Sequence, residues 1–159
     1  MTFPLHPARR RPVNINIARA AARLGAVQAL YQREMGDASV AKLLHEFHVH
    51  RLGQEIEGTD YAAADTALFD DLVRGVAARQ EELDGLISAA LATGWTLDRL
   101  DKPMRALLRA AIYELLTRPD MAAATVISEY VDVSHAFHAA KEAKFVNGLL
   151  DTVARRLRG

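Results

Sequence analysis

Three histidines, His45, His48 and His50, are the residues of this sequence that most suggest metal chemistry, because neutral imidazole is a common zinc ligand. His45 and His48 are three residues apart, whereas the zinc motif His-Glu-x-x-His places its histidines four apart on one helix face. His50 falls on a different face of the same predicted helix, and the chain has no cysteine to complete a site. His135 and His138 repeat the unfavourable spacing. The sequence therefore predicts no metal site and no other cofactor.

Adjacent carboxylates, and a serine beside a histidine, are the candidates for acid–base or nucleophilic catalysis. Asp70-Asp71, Glu81-Glu82 and Ser134-His135 are each direct neighbours in a predicted helix, where neighbouring side chains diverge. The sequence also contains no glycine-rich phosphate loop and no Gly-x-Ser-x-Gly nucleophile motif. No catalytic residue can be named, so the sequence predicts a binding protein and not an enzyme.

Arginines are concentrated at the start of the chain, where residues 1–33 contain six of them and no acidic residue. These six are Arg9, Arg10, Arg11, Arg19, Arg23 and Arg33. The first three lie among prolines without a hydrophobic period and predict a flexible basic arm over residues 1–15. Arg19 and Arg23 share one face of the next predicted helix, beside its buried stripe. A rigid row of cations can hold phosphates, so a polyanion partner is expected; an ordinary solvated face is the alternative.

The middle of the chain has the opposite charge. Residues 34–101 contain 14 acidic and five basic residues, and residues 102–159 contain nine basic and six acidic ones, although the formal net charge of the whole chain is zero. Glu81, Glu82 and Asp84 form an acidic flank on a predicted helix. We expect this flank to contact a basic partner; clustering of charges on a solvated face is again the alternative.

The stretch from residue 101 to residue 118 is the element around which the others must pack. Asp101 can cap the helix, Pro103 falls in its first turn, and Pro119 ends it. The apolar residues between them cover much more than one face, so this helix needs partners on several sides. The sequence predicts an all-α fold with this helix at its centre, in a single domain over residues 16–159.

The remaining predicted helices and their boundaries follow from hydrophobic periodicity. They cover residues 16–36, 39–52, 65–91 (with a break at Gly75 or Gly85), 122–137 and 141–158, with a loop at 53–64. Trp95 is expected to pack into the junction before the central helix. Gly148, inside the last helix, is expected to allow close approach of another backbone, because glycine costs a helix about 1 kcal/mol relative to alanine.

The absence of cysteine suits a reducing compartment. The first residues lack the apolar region of a signal peptide, and no apolar run reaches the ~18 residues of a membrane span. The sequence therefore predicts a cytoplasmic protein, and it leaves a homodimer open.

Four segments together resemble the bacterial NusB family of transcription antitermination factors. They are Ala-Val-Gln-Ala-Leu-Tyr-Gln (26–32), Leu-Arg-Ala-Ala-Ile-Tyr-Glu-Leu-Leu (108–116), Val-Ile-Ser-Glu-Tyr-Val (126–131) and Lys-Phe-Val-Asn-Gly-Leu-Leu-Asp (144–151). The segments have the family's order and spacing from about residue 18 to residue 157. Some RNA cytosine methyltransferases carry the same fold as a front domain. This chain ends before such a catalytic domain, so the stand-alone factor is expected.

The resemblance implies about seven helices in two small bundles. It also implies binding of a single-stranded boxA RNA element together with the ribosomal protein NusE, in antitermination complexes with other Nus factors on RNA polymerase. Lys144 and Phe145 match the family's motif and are candidates for a phosphate contact and base stacking. Tyr31 is a second candidate for stacking, although an aromatic residue at helical spacing more often belongs to a core.

The family's arginine-rich start of the first helix corresponds here to Arg19 and Arg23, with Ala20 and Ala21 at positions that are often arginine. Arg19, Arg23 and Lys144 are expected to form one basic surface for RNA, with help from the arm. The two alanines motivate an alternative, in which the chain is a protein-interaction or assembly module whose RNA binding is weak or lost.

Overall fold

The computed structural model describes residues 15–36, 38–50, 55–56, 59–60, 65–138 and 140–159. Within these ranges lie seven α-helices: α1 (Ile15–Met35), α2 (Val40–His50), α3 (Thr66–Ala78), α4 (Gln80–Ala90), α5 (Lys102–Thr117), α6 (Ala123–Ser134) and α7 (Ala140–Arg158). Two short strands, β1 (Glu55–Ile56) and β2 (Thr59–Asp60), pair in an antiparallel manner, and a 3₁₀ turn covers Leu97–Arg99. The fold is all-α, as predicted.

Helix α5 is the central element. Its first turn is capped by Asp101, whose carboxylate accepts a hydrogen bond from the Met104 amide at 2.8 Å, and Pro103 lies in that turn. Every residue from Ala106 to Leu115 is buried. Five other helices, α1, α3, α4, α6 and α7, pack against it. The prediction of a core helix that needs partners on several sides is confirmed.

The helices form two groups that share α5. In the first, α1, α2 and α3 pack on one another, and α1 and α3 also contact α5. In the second, α4, α6 and α7 pack around the rest of α5, and α6 and α7 also pack closely on each other. One continuous apolar cluster runs through both groups, so burial of apolar surface holds them together.

The chain bends between α3 and α4 at Arg79, where φ is −117°, and the prediction of a break at Gly75 or Gly85 is wrong. Gly75 stays helical and instead provides space, because a Cβ atom there would lie 2.1 Å from Cζ of Tyr113. Gly148 has no atom within 4 Å of the corresponding position, so the expected close backbone approach is also wrong.

Two further predictions change with the structure. Trp95 does not fill the junction before α5, because 51% of its surface is exposed; Leu100 is buried there instead. The predicted loop at residues 53–64 contains β1 and β2, and its other residues lie outside the described part of the chain. The basic arm is also outside it as far as residue 14, including Arg9, Arg10 and Arg11.

Candidate nucleic-acid interface

Those of the predicted RNA-binding residues that the structure describes belong to two helices. Arg19 and Tyr31 are half-buried on α1, and Tyr31 packs against the apolar core. Near the start of α7, Lys144 is exposed and the neighbouring Phe145 is half-buried. A cation in water beside an aromatic ring that is partly accessible is an arrangement that suits a phosphate and a base of single-stranded RNA.

Arg23 is not on the surface, and the prediction that it belongs to a solvent-facing basic row is wrong. Its side chain is 2% exposed. Nε donates to Glu114 Oε2 at 2.8 Å and Nη2 donates to Glu114 Oε1 at 3.1 Å, which makes a bidentate pair between α1 and α5. Nη1 lies 3.5 Å from Glu129 Oε2 on α6. Arg23 therefore joins three helices and cannot reach a phosphate.

The charges in this buried cluster stabilise one another. Burial acts to lower the pKa of Arg23, but the hydrogen bond and the negative charge of Glu114 outweigh it, so the pKa lies above its ordinary value. Burial, reinforced by the charge of Glu114, raises the pKa of the Tyr130 hydroxyl well above its ordinary value. Arg23 thus stays ionised and Tyr130 stays neutral over the physiological pH range.

Arg19 and Lys144 lie toward opposite ends of α5. Arg23, one turn after Arg19, pairs with Glu114 near the end of α5, and Met35 Sδ at the end of α1 lies 3.5 Å from Lys102 Nζ at the start of α5. Helices α1 and α5 are therefore antiparallel. Phe145 shares a groove with residues at the start of α5.

The rise of 1.5 Å per residue places the two cations more than about 15 Å apart along α5. The single compact surface expected for Arg19, Arg23 and Lys144 is therefore not formed. Arg19 and Lys144 remain as two separate basic points.

The predicted acidic flank on α4 is partly neutralised within the chain. Asp84 accepts from Arg109 Nε at 2.7 Å and from Arg109 Nη2 at 3.1 Å, so it is not a free acid. Glu82 is exposed and pairs with Arg79 at 2.9 Å, a hydrogen bond that lowers the pKa of its carboxyl group. Glu81 is exposed and makes no ion pair with any residue in the described ranges. Of the predicted flank, only exposed Glu81 and the neighbouring Glu82 are therefore positioned to contact a basic partner.

A groove lies where the start of α7 meets the segment before α5. It has a volume of about 450 Å³, within the range of small-molecule sites, and Trp95, Met104 and Phe145 contribute to its lining. The guanidinium carbon of Arg99 lies 5.0 Å from the centre of the Trp95 ring, a cation–π contact, and Arg99 Nη1 donates to the Gly94 carbonyl at 2.9 Å. The sequence interpretation missed this groove, because it expected the apolar side chain of Trp95 to be buried.

His48 and His138 each contact a single carboxylate. His48 Nε2 lies 2.6 Å from Asp70 Oδ1, and His138 Nε2 lies 3.0 Å from Oδ1 of the capping residue Asp101. Across the described part of the chain, no three histidine, aspartate or glutamate side chains come together in a way that could hold a metal ion.

Comparison with known proteins places this chain in a family. The profile of the NusB family matches residues 20–155. The transcription antitermination protein NusB of Novosphingobium aromaticivorans is 62% identical over 141 residues, which cover 89% of this chain and 95% of that protein. The protein of the same name from Sphingopyxis alaskensis is 55% identical over 141 residues, with the same coverage.

Two more distant relatives support this assignment, one by sequence and one by structure. The NusB protein of Rhizobium johnstonii is 47% identical over 149 residues, covering 94% of this chain and 93% of that protein. The solved structure of T. maritima NusB superimposes with a TM-score of 0.70 at 31% identity, over 86% of this chain and 90% of that one. This chain belongs to the NusB family, and these relatives are named as transcription antitermination proteins and not as enzymes. None of the described helices combines the length and apolar character needed to cross a membrane.

Proposed function

We propose that this protein is a transcription antitermination factor that binds a boxA-like single-stranded RNA together with the ribosomal protein NusE. In this proposal it acts within antitermination complexes that contain other Nus factors and RNA polymerase. The observation that carries the proposal is the pairing of exposed Lys144 with half-buried Phe145 at the start of α7, in a chain that belongs to the NusB family. Single-stranded RNA requires cations for its backbone and aromatic faces for its bases, and this pair supplies one of each.

The RNA-binding residues in this proposal are Lys144 and Phe145 at one end of α5 and Arg19 at the other. The arginines of the arm, Arg9 to Arg11, precede α1 in the sequence and add three positive charges to this part of the chain. Tyr31 lies on α1 between the two ends and is half-buried, so part of its side chain remains open to a base. Arg23 contributes indirectly, by fixing α1 against α5 and α6.

Titration of the full chain with a fluorescently labelled boxA RNA, with and without NusE, tests the proposal. We expect saturable binding that NusE strengthens, and a preference for boxA over a scrambled strand. Replacement of Phe145 by leucine should weaken binding by about 1–3 kcal/mol with little change in its salt dependence, because stacking is lost and no charge is removed.

The NusE contact is proposed to use Glu81 and Glu82, since Asp84 is paired with Arg109. Replacement of Glu81 by lysine should slow association with NusE, most at low salt, because rim charges act mainly through steering. Replacement of Asp120 by lysine, an exposed acid in the turn after α5, is the control and should leave the rate nearly unchanged. An association rate that is equally insensitive to both changes would remove α4 from the interface.

A second candidate function has specific support. Arg23 is buried, and Ala20 and Ala21 stand where family members often have arginine, so the first helix presents fewer cations than the family pattern implies. An assembly module that binds NusE but not RNA is consistent with these facts. In the titration above, NusE binding without RNA binding in either mixture would favour this second function.

A further inference from the structure

The groove between Trp95 and Phe145 contains chemistry that the residues discussed so far do not use. Trp95 is the only tryptophan of the chain and, among the residues that the structure describes, one of four large apolar residues that are more than half exposed. Its backbone is held in a turn, since its amide donates to the Ala92 carbonyl at 3.0 Å and the preceding Gly94 has a φ of +89°, which favours glycine. An exposed aromatic ring that contacts a guanidinium and shares a groove with a second aromatic ring is a surface suited to stacking.

We infer that this groove binds a nucleobase of the single-stranded RNA, with Trp95 and Arg99 as a stacking platform additional to Phe145; the inference rests on the proposed RNA-binding function. Nucleobases stack on tryptophan rings and on guanidinium planes, and the cation–π contact holds these two groups together. Because the guanidinium covers one face of the ring, a base stacks on the other face or on the guanidinium itself.

The charges around the groove determine which part of a nucleotide enters it. Asp101 and Glu142 contribute carboxylates to the lining, and a phosphate placed beside them would be repelled. Lys141 lines the groove, and Lys144 is exposed on the same turn of α7. The base therefore points inward, and the sugar–phosphate backbone follows the lysines at the edge.

Glu142 offers a means of reading the base. Its Oε2 atom is buried and has no hydrogen-bond partner among the residues that the structure describes. An unpaired buried acceptor is costly, and an amino or imino group on the edge of a base would satisfy it. The groove therefore favours a base whose edge presents a donor at this point, such as the exocyclic amino group of adenine, cytosine or guanine.

Because Trp95 is the only tryptophan, intrinsic fluorescence reports on the groove directly. Titration with an unlabelled boxA RNA should quench this emission to saturation, with the same dissociation constant that a labelled strand gives by anisotropy. Trp95→Leu should bind RNA about 5- to 100-fold more weakly with an unchanged salt slope, and Trp95→Phe should recover most of the loss. Val49→Ala, which trims another exposed apolar side chain on the distant helix α2, is the control and should bind like the parent.

An abasic scan of the RNA identifies the base concerned. One abasic position should weaken binding of the parent about as much as Trp95→Leu does, and the same position should have no further effect on that variant.

If the parent binds RNA while its emission stays constant and Trp95→Leu binds equally well, the groove inference is wrong and the proposed function stands. If NusE alone, without RNA, quenches Trp95, the groove is a protein contact and the inference is again wrong. If the parent binds no RNA, both fail.

Discussion

The guanidinium of Arg23 spans both carboxylate oxygens of Glu114, a residue with no exposed surface, inside the contact of α1, α5 and α6. A buried pair of this kind need not stabilise the fold more than apolar residues would, but loss of one partner leaves an uncompensated charge. We predict that Arg23→Ala lowers the free energy of unfolding by about 3–5 kcal/mol, measured by urea denaturation. Arg19→Ala, one turn away at a half-buried residue with no ion pair among the described residues, should change it by less than about 0.5 kcal/mol.

The same pair of variants separates structure from RNA binding. Arg23→Ala, studied at a temperature where it remains folded, should keep the salt slope of RNA binding, because the side chain contacts no phosphate. A slope that falls in Arg23→Ala as it does in Arg19→Ala would mean that Arg23 is accessible in solution.

Tyr113 gives a prediction for the alkaline limb of stability. Burial, followed by the hydrogen bond of its hydroxyl to Asp71 Oδ1 at 2.7 Å, raises its pKa from 10.0 to about 12. The unfolded chain therefore loses this proton near pH 10, and the folded chain keeps it to about pH 12. The stabilisation is complete below pH 10 and is lost as the pH rises to 12.

Urea denaturation across that pH range tests this sign. The free energy of unfolding of the parent should fall between pH 10 and pH 12, and Tyr113→Phe should fall less steeply because one titrating group is gone. Tyr130, whose pKa is also raised, remains in the variant and accounts for residual slope. Equal slopes for the parent and Tyr113→Phe would show that Tyr113 ionises alike in both states.

The caps show what could be predicted at the scale of single residues. The sequence predicts Asp101 as a helix cap because the amide that it accepts from is only three residues away, and the structure shows this contact at 2.8 Å. Asp65 caps α3 in the same way, at 2.9 Å from the Leu68 amide. The burial of Arg23 could not be predicted in the same way, since Glu114 lies 91 residues further along the chain. Helical periodicity gives the helix face on which an arginine lies. Whether that face packs against a carboxylate of another helix depends on the tertiary structure.

At the scale of elements, α3 shows why a glycine inside a helix has more than one meaning. The sequence interpretation gave Gly75 as one of two possible helix breakers, yet α3 continues through it and the Tyr113 ring of α5 packs where its side chain would be. The periodicity of one helix contains no information on which side chains of another helix pack against it. The contact between Gly75 of α3 and the Tyr113 ring of α5 could therefore not be predicted. The central role of α5 was predictable because its own residues are apolar on nearly every side.

This packing predicts opposite effects of the same substitution at two helical glycines. Gly75→Ala should lower the free energy of unfolding by roughly 1–3 kcal/mol, because the new Cβ would overlap the Tyr113 ring. Gly85→Ala, on the exposed side of α4 with no atom within 4 Å of the new Cβ, should raise it by about 0.5–1 kcal/mol. Thermal and urea denaturation of both variants would measure the difference, and stabilisation by Gly75→Ala would contradict the packing described.

At the scale of the whole molecule, the proposed RNA contacts divide between two ends. The sequence interpretation placed Arg19 and Lys144 on one surface, because the antiparallel arrangement of α1 and α5 is a property of the fold and cannot be seen in either segment alone. A strand that contacts both Arg19 and Lys144 must span more than about 15 Å, measured parallel to the axis of α5. The groove of Trp95 and Phe145 then receives a base near the Lys144 end.

Salt dependence measures whether one strand makes both contacts. Each phosphate neutralised on single-stranded RNA contributes about −0.7 to the log–log slope of affinity against salt. With full-length boxA RNA, Arg19→Ala and Lys144→Ala should each reduce the magnitude of that slope by about 0.7, and the double variant by about 1.4. Arg155→Ala, which removes an exposed arginine already paired with Asp151 at the far end of α7, should leave it unchanged.

Shortening the RNA from one end then assigns the direction of the strand. A strand too short to reach both ends should respond to only one of the two alanine variants, and the end that was removed identifies which contact it had made. Because Phe145 and Trp95 lie with Lys144, the half of the RNA that stays sensitive to Lys144→Ala should also be the half that quenches tryptophan emission. Quenching by the half that responds only to Arg19→Ala would place the strand on a different face from the one proposed.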